Sequence, residues 1–470
     1  MMKKILRAGF LLSLFFLALV SLIHAVPEAV RSFETAPAPS VTGVVTGITV
    51  ETLSVRDAAG EVHEFTITDA SRSGLPGTFD GDIFTVWYEN SLLGTGFRLR
   101  ARQYEKLADG SRAPHEALPK TIPSDWLDGG IFQSSYPAAY ETLKTLTLEQ
   151  KVGQLFLVRF PEEKYAVGTV NRYRPGGFLL FAEDFKGKSG ADVTAMLESI
   201  QNASALPLLV ATDEEGGPVV RVSKHTRLRK NPFPSPRQLY ESGGLDAVCR
   251  DADEKSRFLK GLGINVNLAP VADVSTDPAD YIYSRTVGLS AEETGAYVKT
   301  TVEAAQSAGI SAALKHFPGY GNNRDTHTGS ARDNRPYERF EREDFLPFRE
   351  GIAAGVHSVL VSHNIVACMD SENPASLSPA VHSILRDELE FTGVIMTDDL
   401  YMDAVVERAS AFHPAVEAVL AGNDLLLITD LAGGVSQVLD AVKSGVIDSA
   451  QFNRAVFRIL AWKHHAGLVR

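Results

Sequence analysis

The chain has 470 residues, 44% of them hydrophobic and 22% charged. That is long for one ordinary domain and about right for a large domain with a small one beside it, and the composition excludes long-range disorder. Lys and Arg number 46 against 58 Asp and Glu, a net charge of −12, which argues against a protein that wraps nucleic acid, since such binding is driven by cations neutralising phosphates. Two cysteines, Cys249 and Cys368, are too few for a disulfide scaffold or a four-thiolate zinc site.

The first segment carries Lys3, Lys4 and Arg7, then an apolar run from Ala8 to Ile23 and a small residue at Ala25. A basic start, a short hydrophobic stretch and a small residue read as a secretory signal over residues 1–25. Its apolar length also approaches that of a membrane span, so an uncleaved anchor is the alternative. No cysteine follows the run, which argues against lipid anchoring. No later segment is apolar enough to cross a membrane, so no stable span is expected after cleavage, and the exported chain would be periplasmic or extracellular.

A linker over 26–40, rich in Pro and Ala at its end, leads to a change of texture. Val41 to Val55 is rich in β-branched and short residues, Asp57 to Gly60 reads as a turn, and Val62 to Thr68 alternates with period two. Asp82 to Tyr88 and Phe97 to Arg100 continue the pattern. The expectation is a small antiparallel β module over 41–104, with no catalytic constellation. Packing or attachment is its plain role, and Trp87 with Tyr88 leaves carbohydrate binding open. A connecting segment, 105–139, follows.

From residue 140 to 470 short apolar runs recur: Leu155 to Val158, Phe178 to Phe181, Leu208 to Ala211, Val266 to Ala269, Ser311 to Leu314, Ser358 to Val361, Val394 to Thr397 and Leu425 to Ile428. Helical periodicity lies between them, as from Glu293 to Ala308 and from Ala415 to Ala421, the latter closed by Gly422. Eight buried parallel strands alternating with helices predict an α/β chain folded as a (β/α)8 barrel. An open doubly wound sheet would want a Gly-rich phosphate turn after its first strand, and none is present. Catalytic groups of such a barrel sit just after its strands. Four runs here end in polar groups: Asp213-Glu214-Glu215-Gly216-Gly217, Lys315-His316, His363-Asn364 and Asp398-Asp399. Charges abutting buried strands are costly unless paired or used, so their concentration at one end marks the mouth of a site.

Lys315 to Gly321 followed by Asp325-Thr326-His327 resembles the signature of glycoside hydrolase family 3, in its β-N-acetylhexosaminidase branch. So do Asp213 to Gly217 with Arg221, Asn267 to Val271, and Val394 to Leu400. The resemblance covers about residues 140–470, with the motifs in order and at barrel-consistent spacing.

Glycosidic cleavage needs a nucleophile or base on one face of the sugar and an acid on the leaving oxygen. The resemblance places the nucleophile at Asp398, and strand alternation agrees, since the first acid of the pair can face the barrel mouth while Asp399 points away. Only 72 residues follow Asp398, enough to finish the barrel, so an acid from a further C-terminal domain is not expected. In the branch resembled, an Asp-x-His pair does this work, which here is Asp325 and His327. A histidine titrates near neutrality, so it can protonate the leaving oxygen and then deprotonate water. Asp325 would hold its tautomer. Asp213, as acceptor, and Arg221, Arg285, Lys315 and His316, as donors, are then expected around the sugar. Lys315 and Arg221 can equally be partners of Asp213 and Asp398. Two departures stand in the same loop: Tyr320 replaces the family's usual histidine, and the segment Gly321 to Asp325 is one residue shorter than the pattern.

The resemblance implies an exported, retaining β-N-acetylhexosaminidase that removes terminal β-linked N-acetylglucosamine from cell-wall or chitin-type oligosaccharides. A β-glucosidase or a glycoside phosphorylase on the same barrel are the alternatives within catalysis, and a non-catalytic wall-binding protein the alternative outside it. Intact Asp398, Asp325 and His327 argue against the last. No metal, nucleotide or other cofactor is implied, because the strand-end histidines lack a ligand spacing and phosphate-binding motifs are missing. Nothing in the sequence sets an oligomeric state.

Overall fold

A computed structural model describes residues 40–48, 52–57, 62–66, 83–93, 96–108, 118–323, 331–402, 405 and 412–469. The expected signal segment, and with it Asp325 and His327, lie outside the described residues. The chain divides into two compact units, Met1–Ser111 and Arg112–Arg470.

Among the described residues of the first unit five strands, β1 (Ser40–Ile48), β2 (Thr52–Asp57), β3 (Val62–Thr66), β4 (Ile83–Leu93) and β5 (Gly96–Ala108), close a barrel in the order β1-β2-β3-β5-β4. The pairing differs from a purely antiparallel module in one place: β3 and β5 run parallel, Phe65 opposite Leu99. The β4–β5 hairpin reverses the chain, so β5 arrives beside β3 in the same direction. Val55 and Phe65 are fully buried, and the register sets Val55 opposite Val45 on β1. Among the described strands of this unit, closure leaves no long sheet edge open.

Among its described residues the second unit holds ten strands: β6 (Phe156–Arg159), β7 (Gly177–Leu180), β8 (Leu209–Thr212), β9 (Val266–Asn267), β10 (Ser311–Phe317), β11 (Arg332–Asp333), β12 (Ser358–Val361), β13 (Ile365–Val366), β14 (Val394–Thr397) and β15 (Leu426–Ile428). Eight form one parallel sheet in the order β14-β12-β10-β9-β8-β7-β6-β15. A bridge between Met396 and Leu425 joins its two ends, which closes a (β/α)8 barrel. All eight coincide with the apolar runs of the sequence, and nearly every residue in them is buried, as strands covered on both faces require. β11 and β13 make a separate two-stranded ribbon.

Helices between the strands start where the local chemistry says they should. Thr147, Ser189, Ser235 and Ser290 each cap a helix and exchange hydrogen bonds with Gln150, Asp192, Gln238 and Glu293 three residues on, each cap worth about 1 kcal/mol. The helix Pro414–Ala421 ends at Gly422 with φ 113°, a left-handed stop that glycine adopts at least cost. The last helix, Ser449–His465, buries Trp462 completely, and its indole N–H donates to Ser311 Oγ at 2.9 Å. Among the described residues no helix is long and apolar enough to cross a membrane. Cys249 and Cys368 are both exposed and unbonded to each other.

Candidate active site

The segment after β8 assigns a different task to each of its three acids. Asp213 Oδ1 receives Lys315 Nζ at 2.7 Å, with Arg221 Nε 3.8 Å from Oδ2. Glu214 is fully buried and turns the other way. Its carboxylate accepts the backbone N–H of Arg221 (2.8 Å), Val222 (2.7 Å) and Ser223 (3.2 Å), while Asn267 brackets its own backbone. Glu214 thereby fixes the turn that presents Arg221. Glu215 accepts Arg285 Nε at 3.0 Å and Nη2 at 2.7 Å, and Lys315 Nζ lies 2.7 Å away. Gly216 and Gly217 have φ of 108° and 62°, and a Cβ on either would overlap Pro234 or Ser235. The two glycines make the tight turn that follows the three acids, where no larger residue would fit.

From there the polar network crosses the mouth. Arg285 Nη2 lies 3.1 Å from His316 Nε2, and His316 Nδ1 lies 2.7 Å from Asp273 Oδ2. A guanidinium only donates, so the network assigns Nε2 as acceptor and the ring hydrogen to Nδ1, given to Asp273. Both ring nitrogens are thus engaged within the protein. Burial opposes the charge on Glu215, and Lys315 and Arg285 more than offset it, holding the carboxyl below its ordinary value. Burial likewise opposes the charge on Lys315, and Asp213 and Glu215 reverse the effect, raising its pKa. Arg285 is raised for the same reason, burial being outweighed by Glu215. Each cation is therefore kept by carboxylates around it, which is the condition for burying charge at all.

On the opposite wall β14 delivers Asp398, whose N–H donates to Val361 O at 3.0 Å and whose Oδ1 accepts the Asp399 N–H at 2.8 Å. Asp399 turns its carboxylate to Thr429 Oγ1 and Tyr401 N, both at 3.1 Å. Burial raises the Asp399 pKa against those two bonds. His363 Nε2 is 3.0 Å from the Asp399 carbonyl, and its Nδ1 is 2.6 Å from Ser376 Oγ. His363, two residues past β12, thus braces the tip of β14.

Asp213, Arg221, Arg285, Lys315, His316 and Asp398 all line one cavity of ≈ 300 Å³ at the C-terminal ends of the barrel strands, with Glu215 and Asp399. Phe181 and Tyr281 supply aromatic wall, and the Arg159 and Arg221 guanidinium carbons stand 4.6 and 5.4 Å from the Phe181 ring centre. Glu215 and Asp273 were not singled out as site residues in the sequence, although both follow barrel strands and the strand-end criterion reaches them. Among the described residues no cluster of His, Cys, Asp and Glu could hold a metal ion.

The family description "Glycosyl hydrolase family 3 N terminal domain" matches residues 147–462. Beta-hexosaminidase LpqI of Mycobacterium tuberculosis is 29% identical over 333 residues, 68% of this chain and 83% of that one. A Cellulomonas fimi protein named beta-N-acetylglucosaminidase/beta-glucosidase is 29% identical over 345 residues, 70% of this chain and 59% of its own length. The structure of a family 3 beta-N-acetylglucosaminidase from Paenibacillus sp. str. FPU-7 superposes with a TM-score of 0.64 at 31% identity, covering 69% of this chain and 63% of that one. The barrel, its strand-end carboxylates and these similarities together place the chain in glycosyl hydrolase family 3, as a glycoside hydrolase similar in sequence and structure to β-hexosaminidases of that family.

Proposed function

We propose that the protein is an exported, retaining β-N-acetylhexosaminidase acting on terminal β-linked N-acetylglucosamine of cell-wall or chitin-type oligosaccharides. The observation that carries this reading is the convergence of Asp213, Arg221, Arg285, Lys315, His316 and Asp398 on one cavity. Asp213 and the free N–H groups of Arg221, Arg285 and Lys315 bind the sugar. Asp398 attacks the anomeric carbon, the glycosidic C–O bond breaks, and His327 gives the leaving oxygen its proton. The imidazole, oriented by Asp325, then takes a proton from water as that water displaces Asp398 and restores both groups. The Asp399 N–H donates to Asp398 Oδ1 at 2.8 Å and so helps fix the orientation of that carboxyl group.

The test is turnover of aryl β-glycosides with and without the 2-acetamido group, in water and in phosphate. Hydrolysis favouring the acetamido sugar and indifferent to phosphate is expected. The double name of the Cellulomonas fimi relative makes β-glucosidase the second reading. A preference for the glucoside would establish it, and products phosphorylated at the anomeric carbon would replace hydrolysis by phosphorolysis.

A further inference from the structure

The segment that leads from β9 to the helix Ala291–Ser307 sets one tyrosine at the rim of the cavity. Tyr281 lines that cavity and is 39% exposed, whereas Glu215, Lys315 and His316, which line it too, are at most 5% exposed. The chain is anchored on either side of the ring. Before it, Ser275 Oγ donates to Asp280 Oδ2 at 2.8 Å and Asp280 N donates to Asp277 O at 3.0 Å. After it, Ile282 is fully buried in a small cluster with Val271 and Tyr320. The Tyr281 ring centre lies 5.8 Å from that of Tyr320. Tyr320, itself 2% exposed, lies 5.3 Å from the His316 ring at an angle of 76°. Asp273 fixes this floor, accepting the Tyr320 N–H at 2.7 Å and the His316 Nδ1–H at the same distance. Tyr320, the residue that departs from the family signature, thus supports an aromatic tier that runs from His316 out to the rim.

Such a tier suits a sugar. A β-linked hexosamine carries its ring substituents equatorially, so each face presents axial C–H groups that pack against the electron-rich face of an aromatic ring. At ≈ 300 Å³ the cavity stands at the small end of ligand sites, with room for one hexosamine. Its buried charges surround that unit, and a half-exposed ring at the rim meets the next one. The wall's phenyl ring, Phe181, already carries the Arg159 and Arg221 guanidiniums. We propose that Tyr281 is a stacking platform for the sugar beyond the scissile bond, selecting saccharide leaving groups over small ones. This rests on the reading of the cavity as the seat of the terminal N-acetylglucosamine, since the unit next to a terminal one lies across the bond to be cut. The anchored loop holds the ring in place beforehand, so little ordering is needed when substrate binds.

The measurement is kcat and KM of the full-length wild type, Tyr281→Phe and Tyr281→Ala on two substrates. One is N,N′-diacetylchitobiose, and the other is the β-fluoride of N-acetylglucosamine, whose leaving group has no ring to stack. Tyr281→Ala is expected to raise KM for the disaccharide about three- to tenfold with kcat within about twofold, as loss of uniform binding does. Its KM for the fluoride should move by about twofold or less. Tyr281→Phe keeps the ring and should stay within about twofold of wild type on both. Equal rises on both substrates in Tyr281→Ala would put the ring against the terminal sugar and overturn the proposal, as would no change on the disaccharide. A loss in Tyr281→Phe as large as in Tyr281→Ala would assign the effect to the hydroxyl and overturn stacking. A wild type that prefers glucosyl fluoride and cellobiose would overturn the hexosaminidase reading instead, and the same three proteins on that pair would then decide the platform.

Discussion

At the residue scale, adjacent acids separate by what their oxygens touch. Asp398 and Asp399 are neighbours, yet Asp399 spends its carboxylate on Thr429 and the Tyr401 N–H, while Asp398 takes the N–H of Asp399. Asp398→Ala is expected to lower kcat at least about 10⁴-fold, as loss of a covalent nucleophile does, with an unchanged circular dichroism spectrum. Asp399→Ala should retain clearly more activity and instead lower the melting temperature, because it frees two donors that the carboxylate satisfies. Activities in the reverse order would move the nucleophile to Asp399. The same logic distinguishes Asp213, Glu214 and Glu215, three acids in sequence: Asp213 and Glu215 line the cavity and hold its cations, while Glu214 holds a turn. Their identity was legible in the sequence, and their division of labour was not, because it depends on which donors other strands bring.

The last helix carries a different kind of buried charge. Lys463 is fully buried, its Nζ donates to Gln154 Oε1 at 2.6 Å, and burial pushes its pKa down to about 7. In the unfolded chain it titrates near its ordinary 10.5. Between those values the unfolded state binds more protons, so this group's contribution is complete above the unfolded value and is lost as pH falls through about 7. Lys463→Met, which keeps the length of the apolar stem, should therefore stabilise the protein on the order of 1–4 kcal/mol near pH 6. The gain should shrink by pH 10. Urea unfolding at the two pH values checks this, and a constant difference would show that the lysine is neutral, or charged, throughout. The Gly422 stop needed no tertiary help to find, whereas the start at Ser290 with its Glu293 partner was not read from the periodicity. Helical periodicity predicted Glu293 to Ala308 against the observed Ala291–Ser307, a shift within the fraying of helix ends.

For the whole molecule, the two compact units make a prediction about independence. The cavity is lined entirely by residues between Arg159 and Leu427, so a chain beginning at Arg112 should keep kcat on a small soluble aryl glycoside within about a factor of two. A large loss in a folded truncation, verified by calorimetry, would show that the five-stranded barrel supports the catalytic one. The eightfold repeat of apolar runs announced the large barrel because parallel strands buried on both faces must be apolar throughout. The small module's parallel β3–β5 pair was invisible, since alternation marks a strand and says nothing of its neighbour's direction.

What the sequence determined by itself was therefore the local and periodic part: strand positions, helical stretches with the Gly422 stop, and the strand ends where charge accumulates. These follow from short-range rules, namely side-chain period, capping chemistry and the cost of charge beside a buried strand. Only the tertiary structure decided which partner each charge found. The Asp213–Lys315–Glu215–Arg285–His316–Asp273 network draws on the ends of several strands, and the hydrogen bonds of Asn323 to Asp333, and of Arg335 to Asp333 and Asp344, join a loop, a ribbon and a helix. Hydrogen bonds and ion pairs act over about 3 Å in space, and in this chain Asp213 and Lys315, 2.7 Å apart, are separated by 102 positions. Barrel closure, and no pattern along the chain, brings them together.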